Sequence, residues 1–198
     1  MEYLVIFAVV IGAYLIGSIS TGYLIVKAKT GQDIRQVGSG STGATNVKRV
    51  LGKKWFFIVL LLDALKGATP VLLAKYLTVD PYGVNAVLAS IFVIIGHSKP
   101  IFLQFKGGKS VASGVGTILA LNWMVGLTIA AIWGTITYIS KYVSLGSIIA
   151  LGVSPILMYL FKNPIGYIAY CLIAAIYIIY LHRENIVRLI KGEENKVR

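Results

Sequence analysis

The chain has 198 residues, of which 57% are apolar and only 13% charged, and long stretches carry no charge. This composition excludes a soluble globular protein and indicates a chain that crosses a membrane several times. The net charge of +12 does not indicate nucleic-acid binding, because the basic residues lie in short connections between apolar runs rather than along one polar face.

The apolar runs predict an all-α, polytopic membrane protein with seven transmembrane helices. These helices are expected at residues 3–27, 55–78, 82–97, 110–121, 123–140, 143–160 and 165–181. Residues 110–140 are divided at Asn122 and Trp123, because one helix of that length would be about 46 Å long and the hydrocarbon core is about 30 Å thick. No internal repeat or separate soluble domain is visible, so residues 1–198 are expected to form one membrane domain.

The distribution of charge predicts the orientation of the chain. Lys and Arg in short loops accumulate on the cytoplasmic side of a membrane. With seven spans and the N-terminus outside, most of the 19 basic residues fall in inward-facing segments, including those of the C-terminal tail. A six-helix topology places that tail on the opposite side. The sequence therefore predicts an external N-terminus and a cytoplasmic C-terminus.

Three polar segments then meet at the cytoplasmic face, and the first is rich in glycine. It reads Gly38-Ser39-Gly40-Ser41-Thr42-Gly43-Ala44-Thr45-Asn46 and is followed by Lys48 and Arg49. Glycines allow the backbone to approach a ligand closely, successive N–H groups form an anion-binding concavity, and the basic pair supplies countercharge. Phosphate is the simplest ligand. The alternative is a flexible polar turn whose basic residues mark the cytoplasmic side.

The second segment contains Gly96-His97-Ser98-Lys99-Pro100 and then Phe105-Lys106-Gly107-Gly108-Lys109-Ser110. A Gly107-Gly108 turn before a helix is expected to present free N–H groups and the positive end of the helix dipole to an anion. The segment is superficially similar to a Walker loop, but Leu103 stands where the first glycine belongs. This excludes a nucleotide-binding P-loop.

The third segment is His182-Arg183-Glu184-Asn185, followed by Arg188 and Lys191. Its alternative interpretation is the interfacial end of a helix with snorkelling cations. Ser144 and Ser147 lie near the start of the sixth predicted span, where each is able to cap the helix or donate to a ligand, and capping is the favoured role of Ser144.

Two ionisable residues fall inside the second predicted span. Asp63 and Lys66 are three residues apart, and an ionisable group in the membrane is costly unless paired. An intrahelical ion pair is the prediction, and the functional alternative makes Asp63 a proton relay or a support for the site. His97 and His182 are the only histidines and Cys171 the only cysteine, so neither a metal-ligand cluster nor an internal disulfide is expected.

With these three segments in this order, the chain resembles the bacterial acyl-phosphate:glycerol-3-phosphate acyltransferases, the PlsY family, over nearly its whole length. The resemblance implies transfer of a fatty acyl group from acyl-phosphate to the 1-hydroxyl of sn-glycerol 3-phosphate, without metal or cofactor. The product is 1-acylglycerol 3-phosphate (lysophosphatidic acid), made in the first acylation of phospholipid biosynthesis. The resemblance also implies a multi-pass protein of the bacterial inner membrane whose site lies at the cytoplasmic face.

The same resemblance implies roles for individual residues. It makes Arg49, Lys109, His182 and Asn185 catalytic, with Lys109 both binding phosphate and stabilising the leaving group. Ser39, Thr45, Asn46 and Arg49 form a phosphate pocket, while Ser147, His182 and Asn185 place glycerol 3-phosphate. The remaining substrate-binding residues are Gly40, Gly43, His97, Gly107 and Gly108. The proton of the attacking hydroxyl passes either to a substrate phosphate or to His182 or His97, and the sequence does not decide between these routes.

The expected partners are acyl-phosphate, glycerol 3-phosphate and the lipid bilayer, whereas the acyl-chain preference and oligomeric state stay open. A transporter or channel for an organic phosphate is the alternative function. It accounts for seven spans and many basic residues, but transporter sites tend to lie near the bilayer midplane, often between repeated halves. Here the polar segments collect at one face.

Overall fold

A computed structural model describes residues 2–78 and 81–196, and this part of the chain contains helices and no strand. Short 3₁₀ helices lie at Ile34–Gln36 and Ile101–Leu103. The α-helices of the described residues are α1 (Glu2–Ser18), α2 (Thr21–Thr30), α3 (Ala44–Leu51), α4 (Lys53–Leu77), α5 (Val84–Ser98), α6 (Val111–Leu121), α7 (Trp123–Ser140), α8 (Val143–Gly152), α9 (Ser154–Leu160), α10 (Ile165–Leu181) and α11 (Arg183–Ile190).

The apolar helices confirm a polytopic, all-α membrane architecture. Within the described residues, the segments long and apolar enough to cross a membrane are Tyr3–Thr30, Lys53–Leu77, Val84–Leu103, Trp123–Ser140 and Val143–Leu160. A sixth is counted if α10 and α11, which are bent by 61° at their junction, form one span, and α6 is a shorter apolar helix. The number of seven crossings and the orientation of the termini stay predictions, and Arg198 of the basic tail lies outside the described residues.

The first span is not the continuous helix expected from residues 3–27. It is interrupted between α1 and α2, where the Lys66 ammonium donates a hydrogen bond to the carbonyl of Ile19 at 2.7 Å. The Thr21 hydroxyl donates to Asp63 Oδ1 at 2.6 Å. Lys66 and Asp63 also form the predicted ion pair, with 2.9 Å between Nζ and Oδ1. The pair therefore satisfies polar groups at a helix break that the hydropathy pattern did not indicate.

The division of residues 110–140 into two helices is confirmed. The side chain of Asn122 accepts a hydrogen bond from the N–H of Val125 at 3.2 Å, which caps α7, and it donates to Asn163 Oδ1 at 2.9 Å. The sixth predicted span is also divided, because α8 ends at Gly152 and α9 starts at Ser154, with Pro155 in its first turn.

Small residues set the spacing of the helices that carry the polar segments. Gly17 of α1 packs on the backbone of Val93 in α5, and Gly67 of α4 packs on the backbone of Ser113 in α6; a Cβ atom at either glycine would overlap that backbone. Such close approach is how membrane helices gain packing energy without a hydrophobic driving force. A separate apolar cluster includes residues at both ends of the glycine-rich loop. It contains Val26, Ile34, Ala44, Val47 and Val59.

Candidate active site

One cavity of about 660 Å³ is lined by all three polar segments. Its wall combines most of residues 38–49, His97 with residues 109–112, and His182 with several residues between 184 and 196. The convergence inferred from the sequence is therefore present in the structure. The sequence-predicted residues in the lining are Ser39, Gly43, Thr45, Asn46, Arg49, His97, Lys109, Ser147, His182 and Asn185.

Asn46 organises the glycine-rich loop. Its side-chain amide donates to the carbonyls of Val37 and Ser41, at 2.9 Å each, and its Oδ1 accepts from the N–H of Ser39 at 3.0 Å. The residue is 1% exposed. Gly38, at φ +61°, leaves the space that this oxygen occupies. The side-chain polar atoms of Asn46 are thus engaged within the loop, which they hold in the shape that lines this part of the cavity.

The glycine-rich loop ends at the start of α3, where Gly43 is the N-cap residue. Ala44 and Thr45 are the first residues of this helix, so their N–H groups have no acceptor within it. Both line the cavity, as does Arg49 near the end of the same helix. Backbone donors, the positive end of a helix dipole and an exposed guanidinium together form an environment suited to an anion.

The Gly107-Gly108 turn is built differently from what the sequence suggested. The N–H of Gly107 donates to the carbonyl of Ser98 at 3.2 Å, and that of Gly108 donates to the carbonyl of His97 at 3.1 Å. The expectation of free N–H groups at this turn is therefore wrong. Gly107, Gly108 and Gly40 do not line the cavity, and the glycines of the turn pack on the end of α5 instead.

Lys109 starts a hydrogen-bonded network that crosses the cavity wall. Its ammonium donates to Oδ1 of Asn185, and Nδ2 of Asn185 donates to Glu194 at 2.8 Å. The same carboxylate accepts from the hydroxyl of Ser144 at 3.1 Å and from Nε of Arg188 at 2.8 Å. Ser144 is therefore not the helix cap that the sequence favoured. Its hydroxyl ties α8 to the C-terminal tail.

Burial and neighbouring groups have opposing effects on the pKa values of Lys109 and Glu194. Burial lowers the pKa of the Lys109 ammonium, Arg188 lowers it further, and the negative charges of Glu184 and Glu194 act in the opposite direction. Burial raises the pKa of Glu194, but hydrogen bonds from Asn185, Arg188 and Ser144 bring it below its usual value. The network therefore contains an ionised carboxylate close to an ammonium group whose proton is held less tightly than that of a free lysine.

His182 and Ser147, which the family resemblance assigns to binding glycerol 3-phosphate, both have backbone partners. Nδ1 of His182 lies 2.8 Å from the carbonyl of Ile178, and because a carbonyl only accepts, this nitrogen carries the hydrogen. A neutral His182 ring then has an unprotonated Nε2. The Ser147 hydroxyl donates to the carbonyl of Val143 at 2.8 Å and accepts from Nε1 of Trp133 at 3.2 Å.

Several cavity residues were not identified from the sequence. Glu194 lies in the C-terminal tail, where no motif marks it, and Trp133 is in the middle of an apolar helix. Phe56 and Leu60 line the cavity from α4. Their spacing of four residues places them on one helix face, which is the only sequence signal that indicated a shared role. Among the described residues, no group of three or more His, Cys, Asp or Glu side chains is placed to hold a metal ion.

Comparison with known proteins shows similarity along almost the whole chain. A family profile described as Glycerol-3-phosphate acyltransferase matches residues 7–192. The glycerol-3-phosphate acyltransferase of Trichormus variabilis is 46% identical over 205 residues, covering 96% of this chain and 91% of the relative. That of Desulforamulus reducens is 47% identical over 189 residues, covering 96% and 94%.

Two crystal structures of PlsY, described as an integral membrane glycerol 3-phosphate acyltransferase, have the same fold. The glycerol 3-phosphate form superposes with a TM-score of 0.91 at 40% identity, covering 98% of this chain and 96% of that chain. The lysophosphatidic acid form superposes with a TM-score of 0.88 at 37% identity, covering 98% and 95%.

Proposed function

This chain belongs to the glycerol-3-phosphate acyltransferase family, and from that membership we propose that it transfers a fatty acyl group from acyl-phosphate to the 1-hydroxyl of sn-glycerol 3-phosphate. The ester bond forms as the acyl–phosphate bond breaks, giving 1-acylglycerol 3-phosphate and inorganic phosphate. The observation that carries the proposal is that one cavity is lined by both Arg49 and Lys109, which come from different segments of the chain. We treat residues 1–198 as one acyltransferase domain.

Both substrates carry phosphate, so the reaction needs two anion sites in one cavity. The start of α3 with Arg49 supplies one set of donors, because a guanidinium binds phosphate through two parallel hydrogen bonds. Lys109 supplies a point charge from another segment of the lining, and by the family resemblance Asn185, His182 and Ser147 place glycerol 3-phosphate.

The residues suit a reaction with an activated donor. Acyl-phosphate is a mixed anhydride, so positioning of the hydroxyl and stabilisation of developing charge supply most of the rate enhancement. Lys109 stabilises the phosphate as it leaves. A substrate phosphate accepts the hydroxyl proton in this scheme, and His182 or His97 as the acceptor is the rival route.

The fatty chain of the donor requires an apolar path into the bilayer. Phe56 and Leu60 line the cavity from α4, and Phe57 and Leu61, the next residue after each, are exposed on the outer surface of that helix. We place the acyl chain along this helix, which keeps it in lipid while its head group reaches the polar wall. The donor and product thus stay associated with the membrane throughout.

Purified protein in detergent tests the reaction and its donor. Incubation with glycerol 3-phosphate and either acyl-phosphate, acyl-CoA or acyl carrier protein, followed by mass spectrometry of lysophosphatidate, should give product from acyl-phosphate alone. The cavity contains small-anion donors, and the described chain has no soluble domain to grip a nucleotide or protein carrier. Equal or faster turnover with acyl-CoA overturns the donor assignment. Phosphate flux in liposomes without acylation overturns the enzyme assignment.

We further propose that the cavity opens to the cytoplasm of a bacterium, at its inner membrane. Cysteines replacing Lys48, Lys106 and Glu184, one at a time in a Cys171→Ser background, should react with impermeant thiol reagents in inside-out vesicles only. Labelling of any one of them in intact spheroplasts contradicts the topology.

A further inference from the structure

His97 is held in an unusual setting at the end of α5. The side chain is 6% exposed and lines the cavity, yet its Nδ1 is buried and has no hydrogen-bond partner within the described residues. The oxygen facing it is Oδ1 of Asp63, at 3.7 Å. A buried polar atom without a partner is costly, so this arrangement requires a reason.

Asp63 already has two donors. Its Oδ1 accepts from the hydroxyl of Thr21 at 2.6 Å and from the ammonium of Lys66 at 2.9 Å. The carboxylate is 2% exposed and also lines the cavity. The charges of Lys66 and Asp63, both on α4, act on the His97 ring in opposite directions.

Gly108 confines the other side of the ring. Its N–H donates to the carbonyl of His97 at 3.1 Å, and a Cβ atom at residue 108 would overlap Nε2 of the imidazole. A side chain at this position would therefore displace the ring. The imidazole is held between a carboxylate at Nδ1 and a glycine beside Nε2.

We propose that Asp63 is a positioning residue that holds His97 in the tautomer with hydrogen on Nδ1, so that the unprotonated Nε2 accepts a hydrogen bond from a hydroxyl of glycerol 3-phosphate. The identity of this ligand rests on the proposed function. The electrostatic argument is independent of the proposed function. With hydrogen on Nδ1, the ring presents positive charge to the carboxylate, whereas the other tautomer presents a lone pair to it. At 3.7 Å the effect is orientation by charge rather than a full hydrogen bond.

Nitrogen-15 NMR of protein labelled at histidine tests the tautomer directly. The chain has two histidines, and the His97 signals are identified by their loss in His97→Gln. His182 is an internal control, because its Nδ1 already donates to a backbone carbonyl. Both rings should carry hydrogen on Nδ1 in the unmodified protein. A His97 ring protonated on Nε2 alone overturns the proposal.

Two variants separate the charge of Asp63 from its other hydrogen bond. Asp63→Asn should shift His97 toward the Nε2–H form and leave His182 unchanged. Thr21→Val removes one donor to Oδ1 of Asp63 but keeps its charge and its ion pair with Lys66, so it is the matched control, and Nδ1 of His97 should stay protonated in it. An unchanged His97 tautomer in Asp63→Asn, or the same change in Thr21→Val, contradicts the role of Asp63.

Kinetics test whether the tautomer matters for the substrate. Asp63→Asn should lower kcat/KM for glycerol 3-phosphate about tenfold, the scale of one hydrogen bond, and leave the KM for acyl-phosphate unchanged. The double variant Asp63→Asn/His97→Gln should be no slower than His97→Gln, because Asp63 acts through the ring. Additive losses overturn the proposal. Absence of acyl transfer by the unmodified protein overturns the proposed function instead, and the NMR result is independent of it.

Discussion

Residues 38–46 and residues 105–110 are both glycine-rich, both precede a helix and both are accompanied by cations, but the structure uses them in opposite ways. In the first region, glycines open a loop whose end presents the start of α3 to the cavity. In the second, Gly107 and Gly108 bond to the carbonyls of Ser98 and His97 and pack on α5. Only Lys109 and Ser110 of this region reach the cavity.

The difference shows what separates a glycine-rich segment that lines the cavity from one that packs against a helix. Glycine N–H groups have acceptors in both regions, since Gly40 donates to the carbonyl of Val37 at 3.1 Å and Gly43 to the hydroxyl of Ser41 at 3.3 Å. The distinction is that Gly38 and Gly43 line the cavity, whereas Gly107 and Gly108 lie outside its lining. A glycine that donates to a neighbouring carbonyl offers an anion nothing, whatever its sequence context. In the second region Lys109 is the cation that lines the cavity and no glycine does, so we expect its loss to be severe.

Replacement of Lys109 by alanine should produce the largest effect. It removes the cation that the second region contributes to the cavity, and we expect kcat/KM to fall about 10²-fold or more, the scale of one preorganised electrostatic donor. Lys53→Ala is the control, since Lys53 is exposed and outside the cavity lining, and it should be mild. Near-normal turnover of Lys109→Ala would remove the second phosphate site.

Arg49→Lys tests the first region and should cost somewhat less. The charge stays, but an ammonium lacks the fork that holds phosphate through two hydrogen bonds, while the donors at the start of α3 remain. We expect a roughly ten- to hundredfold loss in kcat/KM, measured with acyl-phosphate and glycerol 3-phosphate. If lysine restores full activity, the site recognises charge and not geometry.

A pair of glycine substitutions compares the two regions by stability. In Gly108→Ala the new methyl group would overlap the ring of His97, so the free energy of unfolding should fall by about 1–3 kcal/mol. At Gly43, φ is −78° and no atom lies closer than 3.7 Å, so Gly43→Ala should lose only what alanine costs at an N-cap position, about 1 kcal/mol or less, and its effect should appear in KM. Thermal unfolding in detergent measures both. Equal losses of unfolding free energy in the two variants would contradict the proposed difference between the regions.

The pH dependence should give the smallest effect. Lys109 binds phosphate in its protonated form, and because burial lowers its pKa, activity should be present at lower pH and lost as the pH rises, earlier than for an exposed lysine. Glu194→Gln removes a negative charge that supports the ammonium, so the alkaline limb of kcat/KM should move to lower pH. Exposed Glu193→Gln is the matched control. If the alkaline limb of kcat/KM stays in place in a folded Glu194→Gln variant, Lys109 does not determine that limb.

Hydropathy predicted most helices within a few residues, because apolar runs and their polar interruptions are local properties. Asn122 was recognised as a turn for that reason. The break between α1 and α2 was missed, since its carbonyl is satisfied by Lys66 from another helix, a contact distant in sequence. Periodicity contains no information about such partners.

The candidate site was predictable to a similar degree. Charge bias placed three segments on one face, and the structure brings them to one cavity. Sequence reasoning did not indicate that Asn46 is engaged within its own loop or that Glu194 links Asn185, Arg188 and Ser144. Those roles depend on which hydrogen-bond partners the fold supplies, and residue type alone leaves them open.

The shortness of α6 bears on where chemistry takes place in the bilayer. Its span from Val111 to Leu121 rises only about 16 Å, roughly half of the hydrocarbon thickness. A helix of this length does not cross the core unless the bilayer thins around it or one of its ends lies inside the membrane. In the proposed reaction, the membrane-anchored acyl donor reaches the cavity by diffusion in the plane of the bilayer, whereas glycerol 3-phosphate reaches it from water.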